Sequence, residues 1–401
     1  MTVGERRATA GLSFIFGLRM LGLFLILPVF ALYGAELDGA TPMLIGLAIG
    51  AYGLTQALLQ IPFGMLSDRI GRRTVIVIGL VIFAIGSVVA AEAQGIVGVI
   101  VGRAIQGCGA IAAAVMALAA DLTRDEQRTK AMAFIGISVG AAFLLALVAG
   151  PAIGVMAGLS GIFWATAGIA LIAIALLYLV VPAGGERVAR PEVTANAGGL
   201  PTVLRHPDLL RLDFGVLILH LVLTATFVVM PVVLEQQLGI DRALHWQVYV
   251  PVLLLSVAGM AFIIAIGERR KILHRLLAGV AGLVIVADLI LAGWSNWMPG
   301  LLLGLLLFFI AFNTLEASLP SLLTRFAPEG MRGTALGVYA TAQFLGAFLG
   351  GVLGGWIYGA YDVQGVFVFC ALAAGIWLFS AVGLRTPAVY QKADAPPSEA
   401  V

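Results

Sequence analysis

Apolar residues run in long blocks along this chain, and polar residues gather in short clusters between them. A hydrocarbon core needs roughly 20 apolar residues per helical crossing, and on that scale the chain holds twelve candidate spans. Six lie near 10–33, 42–66, 74–92, 95–120, 131–156 and 162–182. Six more lie near 209–234, 243–266, 276–294, 299–324, 334–359 and 364–384. The pattern predicts an all-α integral membrane protein with twelve transmembrane helices. The first block follows Glu5-Arg6-Arg7 and is too long for the apolar region of a signal peptide. With no convincing small-residue cleavage site, it reads as a retained first helix.

Composition supports the same picture. Hydrophobic residues make up 61% of the chain and charged ones 11%, where a soluble domain carries about 25% charged residues. Mean hydropathy is +1.07. The net charge of +2 gives no reason to expect a nucleic-acid partner; the partner is the lipid bilayer. The placement of the charge says more. Of 23 Lys and Arg, Arg19 and Arg103 fall within spans, and only Arg242 falls on the side of the odd-numbered connections. The other 20, among them Arg124, Arg128, Lys130, Arg269, Arg270, Lys271 and Arg275, lie on the opposite side. Basic residues stay in the cytoplasm, so both termini are expected there.

Chemistry other than transport finds little support. Cys108 and Cys370 sit inside apolar blocks, so no disulfide framework is expected. His206, His220, His245 and His274 are scattered without ligand spacing, and no phosphate-binding loop of the G-x-x-x-x-G-K-S/T type occurs. No metal, cofactor or ATPase activity is expected. No nucleophile–base pair can be read from the spans, so the chain does not read as an enzyme.

The longest polar stretch, 183–207, is rich in Gly, Pro and charge. It reads as a cytoplasmic linker between a bundle at 1–182 and a second at 208–385, with a short tail at 386–401. The halves echo one another. Gly150-Pro151-x-x-Gly154 in the fifth span is matched by Gly346-x-x-x-Gly350-Gly351-x-x-Gly354-Gly355 in the eleventh. Gly267-Glu268-Arg269-Arg270-Lys271 follows the eighth span as a richer motif follows the second. Two related six-helix bundles place a binding site at their interface, near the bilayer midplane.

That richer motif is Gly64-Met65-Leu66-Ser67-Asp68-Arg69-Ile70-Gly71-Arg72-Arg73. It resembles the signature of the major facilitator superfamily, G-x-L-x-D-R-x-G-R-R/K, between the second and third helices. The fourth span carries Gly102-Arg103-Ala104-Ile105-Gln106-Gly107-Cys108-Gly109-Ala110, similar to the family's R-x-x-Q-G-x-G-A motif. Gly150-Pro151-x-x-Gly154 resembles the motif associated with antiporters, with Ala146 where a leading glycine is common. Ser13 to Pro28, with Leu18-Arg19-Met20-Leu21-Gly22, and Phe312-Asn313-x-x-Glu316-Ala317 look most like the YajR-like group of bacterial drug-efflux-type carriers. Some members of that group carry an appended cytosolic domain, for which the tail after Arg385 is too short.

The resemblance implies a secondary transporter of the bacterial inner membrane, working by alternating access as a monomer. It further implies proton-coupled antiport, with protons and a small amphipathic or drug-like substrate as partners. Two other readings stay open: a symporter or uniporter importing a metabolite, and a receptor or scaffold that has lost transport.

The resemblance also assigns a conformational latch. Asp68 lies in the same layer as Gly333-Thr334 at the start of the eleventh span, where unpaired N–H groups attract an anion. Arg69, Arg72 and Arg73 are expected to hold neighbouring carboxylates or lipid phosphates, while Gly64 and Gly71 permit close approach and a tight turn. Alternatively, the cluster only retains positive charge inside. Charges within spans are costly and usually face protein or water. Glu316, in the tenth span with Asn313 on the same face, is the first choice for proton coupling, because low dielectric strengthens a carboxylate's hold on a proton. Alternatively, Glu316 makes a structural hydrogen bond to a neighbouring helix. His220 lies midway along the seventh span, and imidazole changes charge near physiological pH, although a lone helical His is more often packed. Arg103, Gln106 and Arg19 are candidates for the cavity, each arginine either meeting a carboxylate or anionic group or, for Arg19, bracing its helix. Phe227, Tyr249, Phe308, Phe309 and Phe312 could form an apolar substrate wall. Gly150, Pro151, Gly154, Gly350 and Gly354 are read as packing and hinge positions, with Pro151 bending the fifth span. Asp121 is expected to pair with Arg124 and Arg128, and Asp288 in the ninth span has no evident partner.

Overall fold

A computed structural model describes residues 1–182, 199–270, 272–328 and 330–384. The linker over 183–198, Lys271 and the tail at 386–401 lie outside the described residues. The described chain is helical, its one bridge joining Asp38 to Gly95. In chain order the helices are α1 (Val3–Phe24), α2 (Phe30–Gly34), α3 (Pro42–Ile70), α4 (Arg72–Ala91), α5 (Ile96–Cys108) and α6 (Ala112–Asp121). Then follow α7 (Asp125–Leu179), α8 (Leu200–Val203), α9 (Pro207–Val232), α10 (Trp246–Arg269), α11 (Leu273–Trp294), α12 (Met298–Phe326) and α13 (Arg332–Val382).

Ten described helices are long and apolar enough to cross a membrane, among them runs of 54 and 51 residues. At 1.5 Å per residue each of those runs would reach about 80 Å, far beyond one hydrocarbon core. Both are broken. α7 leaves helical geometry at Gly158 (φ 63, ψ −167), and α13 leaves it at Tyr361 and Asp362. Each is therefore two crossings, and the described chain has the twelve crossings expected. Pro151 stays inside the helical run of α7, so the departure from helix falls at Gly158 and not at the proline. Only a glycine adopts that left-handed φ without strain. The fourth crossing is likewise interrupted between α5 and α6, where Gly109 leaves helical geometry.

α1, α4, α5 and α7 pack chiefly within the first half and α9, α10, α11, α12 and α13 chiefly within the second, whereas α3 packs most on α13. α9 is the most enclosed, with 89% of its apolar window buried, which explains why its sequence is apolar all round. The glycines decide how closely helices meet. A Cβ on Gly150 would lie 2.4 Å from Leu25 O, and one on Gly350 would lie 2.2 Å from Leu221 O. The fifth crossing thus presses on the first as the eleventh presses on the seventh, in accord with the repeat read from the sequence.

The largest contact between the halves of the chain is α3 against α13. It follows a glycine stripe that the sequence reading missed: Gly46, Gly50 and Gly53. Cβ atoms there would fall 2.1, 2.7 and 2.6 Å from the backbone of α13. Toward the Asp68 end the contact loosens from backbone to side chain: Thr341 Oγ1 donates to Ala57 O at 3.5 Å, and a Cβ on Gly337 would be 3.6 Å from the side chain of Ile61. The halves therefore touch backbone to backbone at the end remote from Asp68.

Candidate functional site

Three helices of the second half bring polar side chains together. His220 comes from α9, Glu316 from α12 and Gln343 from α13. His220 Nδ1 lies 3.1 Å from Val216 O, and a carbonyl only accepts, so Nδ1 carries a proton. Gln343 Nε2 then donates to His220 Nε2 at 2.8 Å and to Glu316 Oε1 at 3.3 Å. His220 Nε2 and Glu316 Oε2 are 3.7 Å apart. One amide thus bridges an imidazole and a carboxyl group; its orientation follows from the hydrogen bonds it makes. The Glu316 side chain is 39% exposed, whereas two other acids inside crossings, Asp213 and Asp288, are buried with no hydrogen-bond partner among the described residues. Gln343 was absent from the sequence reading, which took uncharged polar residues only where they neighboured a charge or a motif, as Asn313 and Gln106 do. A search for any polar residue within the spans would have found it.

Asn313 does not join this group. Its Nδ2 donates to Ser256 Oγ at 2.8 Å and ties α12 to α10. The aromatic residues form a packed, largely edge-to-face cluster and not an open wall. Phe143 meets Phe24 at 5.2 Å, Phe227 at 6.0 Å and Phe309 at 6.4 Å between ring centroids. Phe227, Phe308, Phe309 and Tyr249 are buried, and only Phe312, 5.8 Å from His220, is partly exposed. Phe143 thereby links the first half to the second, a role its position in an unremarkable apolar block did not reveal.

Arg19, Arg103 and Gln106 lie apart from Glu316, inside the first half. Arg19 donates to Gly109 O at 2.9 Å and Gln56 Oε1 at 3.3 Å, and its guanidinium lies 4.1 Å from the Phe83 ring centroid. Arg103 donates to Gln106 Oε1 at 2.8 Å, and Gln106 passes a bond on to Ser87 Oγ at 2.7 Å. Both guanidinium groups are 5.1 Å from the Tyr52 ring. Their partners are carbonyls, amides and π faces, and they meet no carboxylate within ion-pair distance among the described residues. The expected carboxylate contact is replaced by a buried brace, because α3 and α5 supply carbonyls closer than any acid. Tyr52 connects this brace to Phe344 of α13 at 6.1 Å.

The loop motif is ordered. Gly71 turns at φ 102, which only glycine adopts freely, and a Cβ on Gly64 would sit 3.3 Å from Ala113. Arg72 is ion-paired with Asp68, lies 3.5 Å from Asp121, and donates to Ser67 Oγ at 2.7 Å. Arg73 does not take a carboxylate; it donates to Val181 O and, at 2.8 Å, to Pro182 O. A cation suits the carbonyl end of the sixth crossing. Arg69 is exposed. Asp121 meets Arg72 instead of Arg124, because Arg124 is engaged by Glu5 at 2.9 Å.

Twelve apolar crossings, a backbone-to-backbone contact between the halves at the end remote from Asp68 and a partly exposed carboxylate within the crossings define a membrane carrier. The model of the Major Facilitator Superfamily matches residues 12–351 and 275–400. The chain belongs to that family; it is a membrane transporter and not an enzyme. It is 49% identical over 387 residues to the inner membrane transport protein YajR of Escherichia coli (strain K12), covering 96% of this chain and 85% of that one. The multidrug resistance protein MdtH of Aeromonas hydrophila is 28% identical, with 86% of each chain covered. Among solved structures, a bacterial homolog of the human lysosomal transporter Spinster, in an inward-facing and occupied conformation, matches with a TM-score of 0.78 at 15% identity. That likeness covers 99% of this chain and 100% of the other.

Proposed function

We propose that this transporter exports small amphipathic compounds in exchange for protons, by alternating access between two bundles at 1–182 and 208–385. The observation that carries the reading is the Gln343 amide shared by His220 and Glu316. A proton arriving on His220 turns Nε2 into a donor. Gln343 must then rotate to offer its oxygen, which removes its bond to Glu316 and leaves the carboxylate to the imidazolium. Protonation thereby rearranges the bonds by which Gln343 ties α13 to α9 and α12. The names of relatives, a multidrug resistance protein and an inner membrane transport protein, favour efflux across the inner membrane, with the Asp68 end and both termini in the cytoplasm.

The conformer described above is closed at the end remote from Asp68, and on this reading it is inward-facing. Asp68 is paired with Arg72 in it. The latch between Asp68 and the start of α13 belongs to the outward-facing state, in which the Asp68 end closes. One chain carries both bundles, so a monomer suffices. Reconstitution into proteoliposomes with a pH dye inside tests the reading. Addition of lipophilic cations should drive proton movement in the wild type and not in Glu316→Gln. Substrate flux without proton movement would refute coupling.

A further inference from the structure

Arg242 is the sole Lys or Arg of the odd-numbered connections, and neither the latch nor the coupling site uses it. It opens the short 3-10 turn Arg242–Leu244, which is fixed by local bonds. The Asp241 carboxylate accepts from Ala243 N at 2.8 Å, and His245 Nε2 lies 3.2 Å from Ile240 O. From this base the guanidinium grips Glu235, just beyond α9, by two bonds of 3.1 and 2.8 Å. A bidentate fork of this kind fixes the plane of the cation. Its remaining edge reaches across to the first half, where Nη1 donates to Glu36 Oε1 at 3.1 Å. Its face lies 4.7 Å from the ring centroid of Tyr33 in α2. Tyr33 in turn rests on Gly154 of α7, where a Cβ would come within 2.9 Å of the ring.

One cation therefore joins α2, the connection after it and the end of the seventh crossing. Beside it the halves enclose a cavity of about 370 Å³, lined by Glu36, Pro42, Ile45, Glu235, Arg242 and Tyr358 among others. Pro42 also borders the backbone contact between α3 and α13, its carbonyl 2.4 Å from where a Cβ of Gly355 would lie. The polar bridge and the glycine contact thus close the same end.

We propose that Arg242, Glu36 and Tyr33 form a clamp that holds this end shut, while Glu235 keeps Arg242 aimed at it. The proposal rests on the alternating-access reading. In each outward opening the single bond to Glu36 and the stacking on Tyr33 break, and the Glu235 fork stays whole within the second half. The difference in strength suits that division. Glu36 is 62% exposed and held by one bond, whereas Glu235 is 28% exposed and held by two.

Spin labels on cysteines placed at Asp38 and Gln247, with Cys108 and Cys370 replaced by alanine, report the separation of the halves at this end. Double electron–electron resonance in proteoliposomes should give a short and a long distance for the wild type. Glu36→Gln keeps the Glu235 fork and should raise the long-distance fraction by about fivefold, the range of a partly exposed ion pair. Arg242→Gln should do at least as much, and the double variant no more than Arg242→Gln alone. Two distances in the wild type with unchanged fractions in both single variants would overturn the clamp and leave alternating access standing. Additive effects in the double variant would also overturn it. A single unchanging distance in every variant would refute alternating access, and the clamp with it.

Discussion

Gly46→Ala probes the contact on which the inward-facing reading depends. The added Cβ would stand 2.1 Å from Gly351 O, 2.9 Å from Gly355 Cα and 3.0 Å from Gly351 C. All three obstacles are backbone, so no rotamer change relieves them; α3 and α13 must part by about 1 Å. Overpacking of this kind costs about 1–3 kcal/mol, equivalent to a shift of roughly fivefold to more than a hundredfold in a two-state ratio. The penalty applies only while the two helices touch at this end, so the outward-facing population should rise by that factor. Alkylation of a cysteine placed at Ile45, which is buried beside the cavity at this end, with Cys108 and Cys370 replaced by alanine, measures the change from the side remote from Asp68. Gly140→Ala is the control, because no atom lies within 4 Å of its added Cβ. A loss of thermal stability in Gly46→Ala with unchanged alkylation would refute the reasoning, since the contact would then belong to a core that never opens.

Other substitutions separate roles the sequence had grouped together. Asn313→Ala removes the bond to Ser256 and should lower stability by about 1 kcal/mol while leaving proton-coupled exchange intact, as thermal melting beside the flux assay will tell. Asp68→Asn should impair transport with little loss of folded protein; normal turnover would dismiss the latch. Phe143→Ala deletes the ring shared by Phe24, Phe227 and Phe309. It should cost about 3–5 kcal/mol if the cluster cannot collapse, and a melting temperature equal to wild type would contradict the packing described. Arg73→Ala uncaps the sixth crossing and should lower stability by about 0.3–1 kcal/mol, detectable by the same melting assay.

Hydrophobic periodicity and charge determined the architecture without help from tertiary contacts. Twelve apolar blocks, one basic side and one glycine-punctuated loop motif are local properties, because the bilayer imposes its thickness on each helix separately. Gly71 belongs with them, marking a turn that another residue would strain, whereas the break at Gly158 was not read from the sequence, which looked to Pro151. The site was legible only in part. Glu316 and His220 stood out as polar residues that the membrane disfavours, and they do meet. Gln343 escaped because, unlike Asn313 and Gln106, it neighbours no charge or motif along the chain, and its role exists only where α9, α12 and α13 converge. Arg19 and Arg103 show the converse. Their charge made them conspicuous, but which partners they have depends on carbonyls and rings from other helices, here Gly109, Ala48, Phe83 and Tyr52. Sequence spacing fixes which face of a helix a residue occupies. What stands opposite that face is set by how the helices pack, and that only the tertiary structure decided.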